Sequence, residues 1–335
     1  MSINVAVIGV GAMGRNHARV YSGMPDAQLV GVADTDLHIA ESVSRRYGGC
    51  PYDNYEKLLD EQRPNAVSVA VPTINHYEVA KSVIQRGIHL VIEKPIAASL
   101  EEGREIIDAA ETAEIKLMIG HIERFNPAVI ALKMHLSKEE LGRVFQIHAQ
   151  RQGPFPTRIQ NVGVVIDLAV HDLDVMRYIS GSEIVRVYAE TERRIHSRYE
   201  DLLDGLVRLD DGTVGVLTIN WLTPTKIREL SVTGERGMFR VNYITQDLFF
   251  YENAMADGGE WETLQVLRGV SEGKMIRHVI AKKEPLRLEL EAFLSAVRGE
   301  IQIPVTAHDG IRALELAQAL IISGQEQRVV ECLPC

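Results

Sequence analysis

Cysteine is scarce: the 335 residues hold three, Cys50, Cys332 and Cys335. Thiols so few and so placed cannot build a disulfide framework, which excludes a stapled extracellular scaffold and makes a reducing cytoplasm the expected compartment. Cys332-Leu333-Pro334-Cys335 has CxxC spacing. No second pair or histidine cluster completes a zinc site, so a tail carrying two thiols is the preferred reading over a redox or metal pair, and no metal is expected. Long apolar runs are missing too; none reaches the ~18 residues that would span a bilayer. The N-terminus lacks a charged region followed by an apolar stretch and a small-residue cleavage pattern, so no export signal is expected. The formal net charge is −10 and no dense Lys/Arg block is present, which argues against nucleic acid or an anionic membrane as partner. Internal repeats and low-complexity segments are also lacking.

What is present is an ordinary globular composition, 46% hydrophobic and 24% charged, in a chain long enough for two domains of ~100–200 residues each. In the first third, short apolar runs alternate with helical patterns: INVAVI (3–8), QLVGVA (28–33), NAVSVAV (65–71), HLVIEK (89–94) and IKLMIG (115–120), with an amphipathic segment at 76–87. That alternation predicts an α/β, doubly wound parallel sheet. Gly9-Val10-Gly11-Ala12-Met13-Gly14 follows the first strand and opens the first helix. In that setting GxGxxG reads as a dinucleotide loop: Gly9 for the tight turn, Gly11 for approach of a pyrophosphate, Gly14 for helix–strand packing. Ala12 and Met13 lie at the helix N-terminus, whose free N–H groups favour phosphate. Asp34 ends the second strand, with Thr35 and Asp36 rather than arginine after it. A carboxylate there accepts from both ribose hydroxyls and repels a 2′-phosphate, so the expected cofactor is NAD.

After about residue 124 the alternation stops. Strand patterns then accumulate at 145–152, 184–194, 204–221, 228–243 and 248–252, with turn signals at Asp211-Gly212 and Glu235-Arg236-Gly237. They predict a second α/β domain around an open, mainly antiparallel sheet. The expected limits are 1–122 for the Rossmann domain, 123–305 for the substrate and oligomerisation domain, and 306–335 for a C-terminal helix returning toward the first. An open sheet with one uncovered face leaves an apolar patch, so a homo-oligomer, dimer or tetramer, is expected.

The run VVIDLAVHDLDV (164–175) places Asp167, His171 and Asp174 in a segment otherwise almost wholly apolar. Read as one α-helix over about 163–180, it sets Asp167 and His171 one turn apart, Asp174 on the same face, and Asp172 elsewhere. Spacing alone leaves two readings: an acid–base pair, or a helix pair satisfied internally. Lys94 ends a predicted parallel strand, the edge where ligands of open α/β sheets bind, and Pro95 stops further pairing. Taken alone, its competing reading is a solvated loop lysine.

The set GVGAMGRNH, AVPTINH, EKP, GHIERFNP and DLAVHDLD, in that order, resembles the GFO/IDH/MocA oxidoreductases over essentially the whole chain. The resemblance implies NAD(P)-dependent oxidation of sugars or polyols. It implies Lys94 as catalytic lysine, Asp167 as substrate-holding aspartate, His171 as acid–base histidine, Pro72 and His76 near the nicotinamide, and Glu93 as the acid beside the lysine, counted with the cofactor-binding residues. Arg124 and Asn126 of GHIERFNP join the expected substrate-binding residues. Ala169 departs from the family's frequent glycine in DxGxH, which narrows the site and leaves the chemistry intact. ERFNPAVIALK, QGPFPTRIQNVGVVIDLAVHDLDVMRYISGSE and NWLTPTKIRELSVTG also resemble the UDP-N-acetylglucosamine 3-dehydrogenase subgroup, which implies oxidation of the sugar C3 hydroxyl and a downstream aminotransferase as pathway partner. A nucleotide sugar needs cations for its diphosphate and a platform for a ring. Arg151, Arg158, Lys226 and Arg228 are the candidates for the first and Trp221 for the second, against ordinary surface and core roles. The competing readings are a free-polyol or aldose dehydrogenase and, from another class, a non-catalytic NAD(H)-sensing module.

Overall fold

The computed structural model describes residues 2–156, 162–254 and 271–332. The chain divides into two compact units, Met1–Phe125 with Glu284–Glu315, and Asn126–Lys283 with Leu316–Cys335.

The first unit carries β1 (Ile3–Ile8), α1 (Ala12–Ser22), β2 (Ala27–Ala33), α2 (Leu37–Tyr47), β3 (Cys50–Tyr52), α3 (Tyr55–Gln62), β4 (Ala66–Val69), α4 (His76–Gln85), β5 (His89–Glu93), α5 (Leu100–Thr112) and β6 (Leu117–Gly120). All six strands are parallel, in the order β3-β2-β1-β4-β5-β6. The order reverses at β1/β4, the switch point of a Rossmann sheet. Val5, Val7, Ala66, Val67, Leu90 and Ile92 are fully buried, as continuous apolar strands covered on both faces must be.

The second unit carries α6 (Pro127–Ser137), β7 (Val144–Gln152), α7 (Val170–Ser180), β8 (Ile184–Glu192), β9 (Leu202–Leu209), β10 (Val214–Asn220), β11 (Ile227–Gly234), β12 (Gly237–Asn242), β13 (Asp247–Ala254), β14 (Ser271–His278) and the short β15 (Val330–Glu331). They form a nine-stranded sheet in the order β14-β13-β12-β11-β7-β10-β9-β8-β15. Among the described residues every pairing in this sheet is antiparallel except β7 with β10. Burial alternates along β9 and β10, so one face meets the core and the other does not. Asp211-Gly212 turns the β9–β10 hairpin, with Gly212 at φ +87°, and Glu235-Arg236 turns β11 into β12. β14 has no counterpart in the sequence reading, because SEGKMIRH lacks apolar alternation and its Met275 is 62% exposed.

Two assignments differ from the sequence reading. The helix Pro285–Val297, given there to the second domain, belongs to the first unit, where it packs on α1 and buries Leu286, Leu290, Phe293 and Leu294. Periodicity shows that such a face is apolar, not what covers it. The helix Ala307–Glu326 is divided, its residues to Glu315 grouping with the first unit and those from Leu316 with the second. No helix among the described residues is long and apolar enough to cross a membrane.

Candidate active site

The glycine loop has the form its chemistry needs. Gly9 takes φ +82°, and a Cβ there would lie 2.7 Å from the Val71 nitrogen. A Cβ on Gly14 would overlap the Gly9 carbonyl oxygen, so α1 approaches β1 only because that side chain is missing. A Cβ on Gly11 meets nothing within 4 Å. Gly11 is therefore not needed for internal packing; it leaves open space at the N-terminus of α1, as a pyrophosphate requires. Ala12 is exposed and Met13 half-buried beside it. Asp34 Oδ2 accepts from Val10 N at 3.0 Å and Oδ1 from Asp36 N at 3.1 Å. Its carboxylate is thus held against the loop at the end of β2, where it can meet ribose hydroxyls. The residues present fit an NAD. Asp34→Arg is expected to move the preference from NAD toward NADP, read as the ratio of kcat/KM with the two cofactors; an unchanged ratio removes Asp34 from cofactor selection.

At the ends of β4 and β5, Pro72 is exposed and Lys94 half-buried, with a cis peptide between Lys94 and Pro95. His76, expected near the nicotinamide, and Glu93, expected beside the lysine, both make contacts within the scaffold. His76 is 1% exposed; its Nδ1 lies 2.9 Å from the Pro95 carbonyl and its Nε2 3.0 Å from the Val71 carbonyl. Burial pushes its pKa down against those carbonyls, and the ring ties the end of β4 to the turn after Lys94. Glu93 Oε1 accepts from Nε2 of the buried His17 at 2.8 Å. Glu289, which the sequence reading did not single out, is wholly buried nearby. Burial first, then the charge of Glu93, pushes its carboxyl well up.

In the second unit the expected continuous α-helix opens instead with a π turn, Val165–Ala169, and becomes α7 at Val170. Such single π turns recur at functional sites. Asp167 lies in the π turn and His171 in the first turn of α7, both half-buried. The π turn alters the four-residue spacing that an α-helix gives, and hydrophobic periodicity carries no signal for it. Asp174 is 1% exposed. Asp172 does point elsewhere: its carboxylate takes Arg151 Nε at 2.7 Å and Nη2 at 3.0 Å in a buried bidentate pair.

That pairing corrects one expectation. Arg151, proposed for a diphosphate, is 4% exposed, holds Asp172 and lies over the Tyr243 ring at 5.1 Å. Arg124 is likewise buried and pairs with Asp309 at 2.9 Å. Burial raises the Asp309 carboxyl, but the Arg124 charge and hydrogen bonds from Arg124 and Thr306 outweigh it and hold the pKa at about 2. Asn126 caps α6 by accepting from Ala128 N at 3.1 Å and donates to the Tyr243 carbonyl at 3.0 Å. Trp221 is 3% exposed and meets Phe155 edge-on, with His196 beside it, so it is core rather than a platform for a ligand ring. Arg228 donates through Nη1 to the Gln152 and Ile227 carbonyls, and Lys226 is exposed. Arg158 and Cys335 lie outside the described residues. Cys332 is buried.

Two family models match the chain: an oxidoreductase family with an NAD-binding Rossmann fold over residues 3–121, and a GFO/IDH/MocA C-terminal domain over residues 129–240. A UDP-N-acetylglucosamine 3-dehydrogenase of Acidithiobacillus ferrooxidans is 29% identical, covering 94% of this chain and 95% of its own. A solved structure of that enzyme superposes with a TM-score of 0.85 at 28% identity, covering 98% and 100% of the two chains. An inositol 2-dehydrogenase of Rhizobium meliloti is 25% identical over 98% of this chain and 99% of its own. A D-glucoside 3-dehydrogenase of Escherichia coli is 27% identical over 98% and 97%.

Proposed function

Because the chain belongs to the GFO/IDH/MocA family of NAD-binding oxidoreductases, we propose that it oxidises a hydroxyl of a nucleotide sugar, C3 of UDP-N-acetylglucosamine, to the ketone. The observation that carries this reading is the match along 94% of the chain to an enzyme of that activity. The chain's own residues supply a consistent division of labour. The Gly9–Gly14 loop and the N-terminus of α1 hold the pyrophosphate of NAD, and Asp34 holds a ribose. When bound, NAD⁺ supplies the two-electron acceptor. His171 takes the proton of the reacting hydroxyl. Lys94 donates a hydrogen bond to the same oxygen and stabilises the negative charge that develops there. Asp167 holds a neighbouring hydroxyl and keeps the His171 ring oriented. With Arg151 paired to Asp172, the exposed Lys226 is the residue of the expected set assigned to a diphosphate, with Arg228 two positions on.

A second reading, oxidation of a free polyol or glycoside, draws on the inositol and D-glucoside dehydrogenases among the relatives. One assay separates the two. Purified protein is incubated with NAD⁺ and, in turn, UDP-N-acetylglucosamine, N-acetylglucosamine, myo-inositol and a methyl glucoside, with NADH absorbance as readout. A rise with the UDP-sugar that disappears when UDP is removed is the expected result. A rise with inositol or the glucoside alone replaces the first reading by the second. NADH from none of them leaves a sensing module.

A further inference from the structure

The turn that carries Asp167 is fastened by a residue outside the roles assigned above. The loop before β9 folds back so that the Glu200 carbonyl accepts from Val164 N at 2.9 Å and its Oε1 accepts from Val165 N at 3.2 Å. These are amides of the first helical turn, which has no partner within its own helix. A carboxylate also suits the positive end of a helix. Gly163 is fitted to the same group: a Cβ there would overlap the Glu200 carboxylate. The Gly163 carbonyl in turn accepts from Asp167 N at 3.0 Å. One chain of contacts therefore runs from the Glu200 carboxylate, through Val165 and Gly163, to the backbone of Asp167.

The loop that delivers Glu200 is itself pinned. Asp201, wholly buried, accepts from the backbone nitrogens of Arg194, Ile195 and His196 at 2.5–3.0 Å. His196 Nδ1 accepts from Arg198 N and Tyr199 N, both at 3.0 Å. The segment 193–199, exposed except at His196, is thus held from within by two buried side chains. Glu200 is mostly withdrawn from solvent, and burial pushes its carboxyl up against the opposing hydrogen bond from Val165.

We propose that Glu200 is a positioning residue for this oxidoreductase: its carboxylate, delivered by the loop 193–201 and accommodated by the missing Cβ of Gly163, fixes the first turn of the helix that presents Asp167 and His171. The proposal rests on the catalytic roles given to those two residues. Two of its tests, however, do not depend on turnover.

The experiment is a double-mutant cycle on the full-length protein, using Glu200→Ala, Gly163→Ala, their combination, and Glu200→Gln. Glu200→Ala is expected to lower kcat by roughly 10–100-fold, the scale of a misplaced catalytic group, with KM for NAD unchanged. Glu200→Gln keeps an acceptor oxygen and is expected to retain near wild-type kcat. Gly163→Ala displaces the carboxylate and is expected to match Glu200→Ala. Once the carboxylate is gone the added methyl has room, so the combination is expected to melt no lower than the worse single variant. Hydrogen exchange at the Val165 amide is expected to quicken in Glu200→Ala and to stay slow in Glu200→Gln. Additive losses of stability, or an unchanged Val165 exchange rate in Glu200→Ala, overturn the contact. Unchanged kcat in Glu200→Ala overturns its role in positioning. If no sugar is oxidised by the wild type, the functional reading fails, while the melting cycle and the exchange rates still judge the contact.

Discussion

Replacing His171 with alanine is expected to lower kcat by about 10²–10⁴-fold, the usual contribution of a positioned general base, with the Kd for NAD unchanged. The second half of that statement follows from the fold. The pyrophosphate loop, Asp34 and Lys94 belong to the first unit, while His171 stands on α7 in the second. A loss confined to kcat separates a proton-transfer role from a structural one. Isothermal titration with NAD and steady-state kinetics with the active sugar measure the two quantities side by side. If kcat in the variant stays within about threefold of wild type, well below the range for general-base loss, His171 is not the base and the role assigned to Asp167 as its orienting partner falls with it.

The second large effect is on stability. Asp172→Ala removes one half of a bidentate pair whose members are 4% and 1% exposed, leaving the buried Arg151 guanidinium without this carboxylate. Breaking a buried pair in this way costs about 3–5 kcal/mol. For a unit of this size that corresponds to a fall in Tm of roughly 6–20 °C. The penalty comes from the charge left behind, so the double change Arg151→Met with Asp172→Leu is expected to recover much of the loss. Differential scanning calorimetry of the three variants decides it. A single variant that melts with the wild type would mean that the Asp172 carboxylate is not what stabilises the buried Arg151.

Of the two groups, only His171 is marked in the sequence. His171 was marked by its position: a histidine four residues from an aspartate in an apolar run has a short list of uses. The Arg151–Asp172 pair carried no mark. The partners sit 21 residues apart on a strand and a helix, and nothing in either segment names the other. Read from sequence, Arg151 was one of four cations suited to a diphosphate, and only the pairing removes it. Arg124 and Asp309 repeat the case across a much longer stretch of chain. Trp221 is another form of the same problem, because a large aromatic ring at the end of a strand reads equally as platform or core until Phe155 and His196 are found against it. Glu200 gave no signal at all, its role depending on a glycine 37 positions earlier whose value lies in the side chain it lacks.

What the sequence determined by itself is whatever depends on near neighbours. The apolar alternation gave the parallel sheet, and the glycine spacing gave the pyrophosphate loop that Gly9, Gly11 and Gly14 form. Asp34 was assigned by its distance from that loop, which a strand–helix–strand unit holds nearly constant. The tertiary structure alone decided the state of each charge. Whether a buried guanidinium or carboxylate is available to a ligand depends on whether another part of the chain has already neutralised it, and that partner is fixed by packing rather than by period. The π turn before α7 belongs to the same class, since backbone hydrogen bonds, not side-chain pattern, set its geometry.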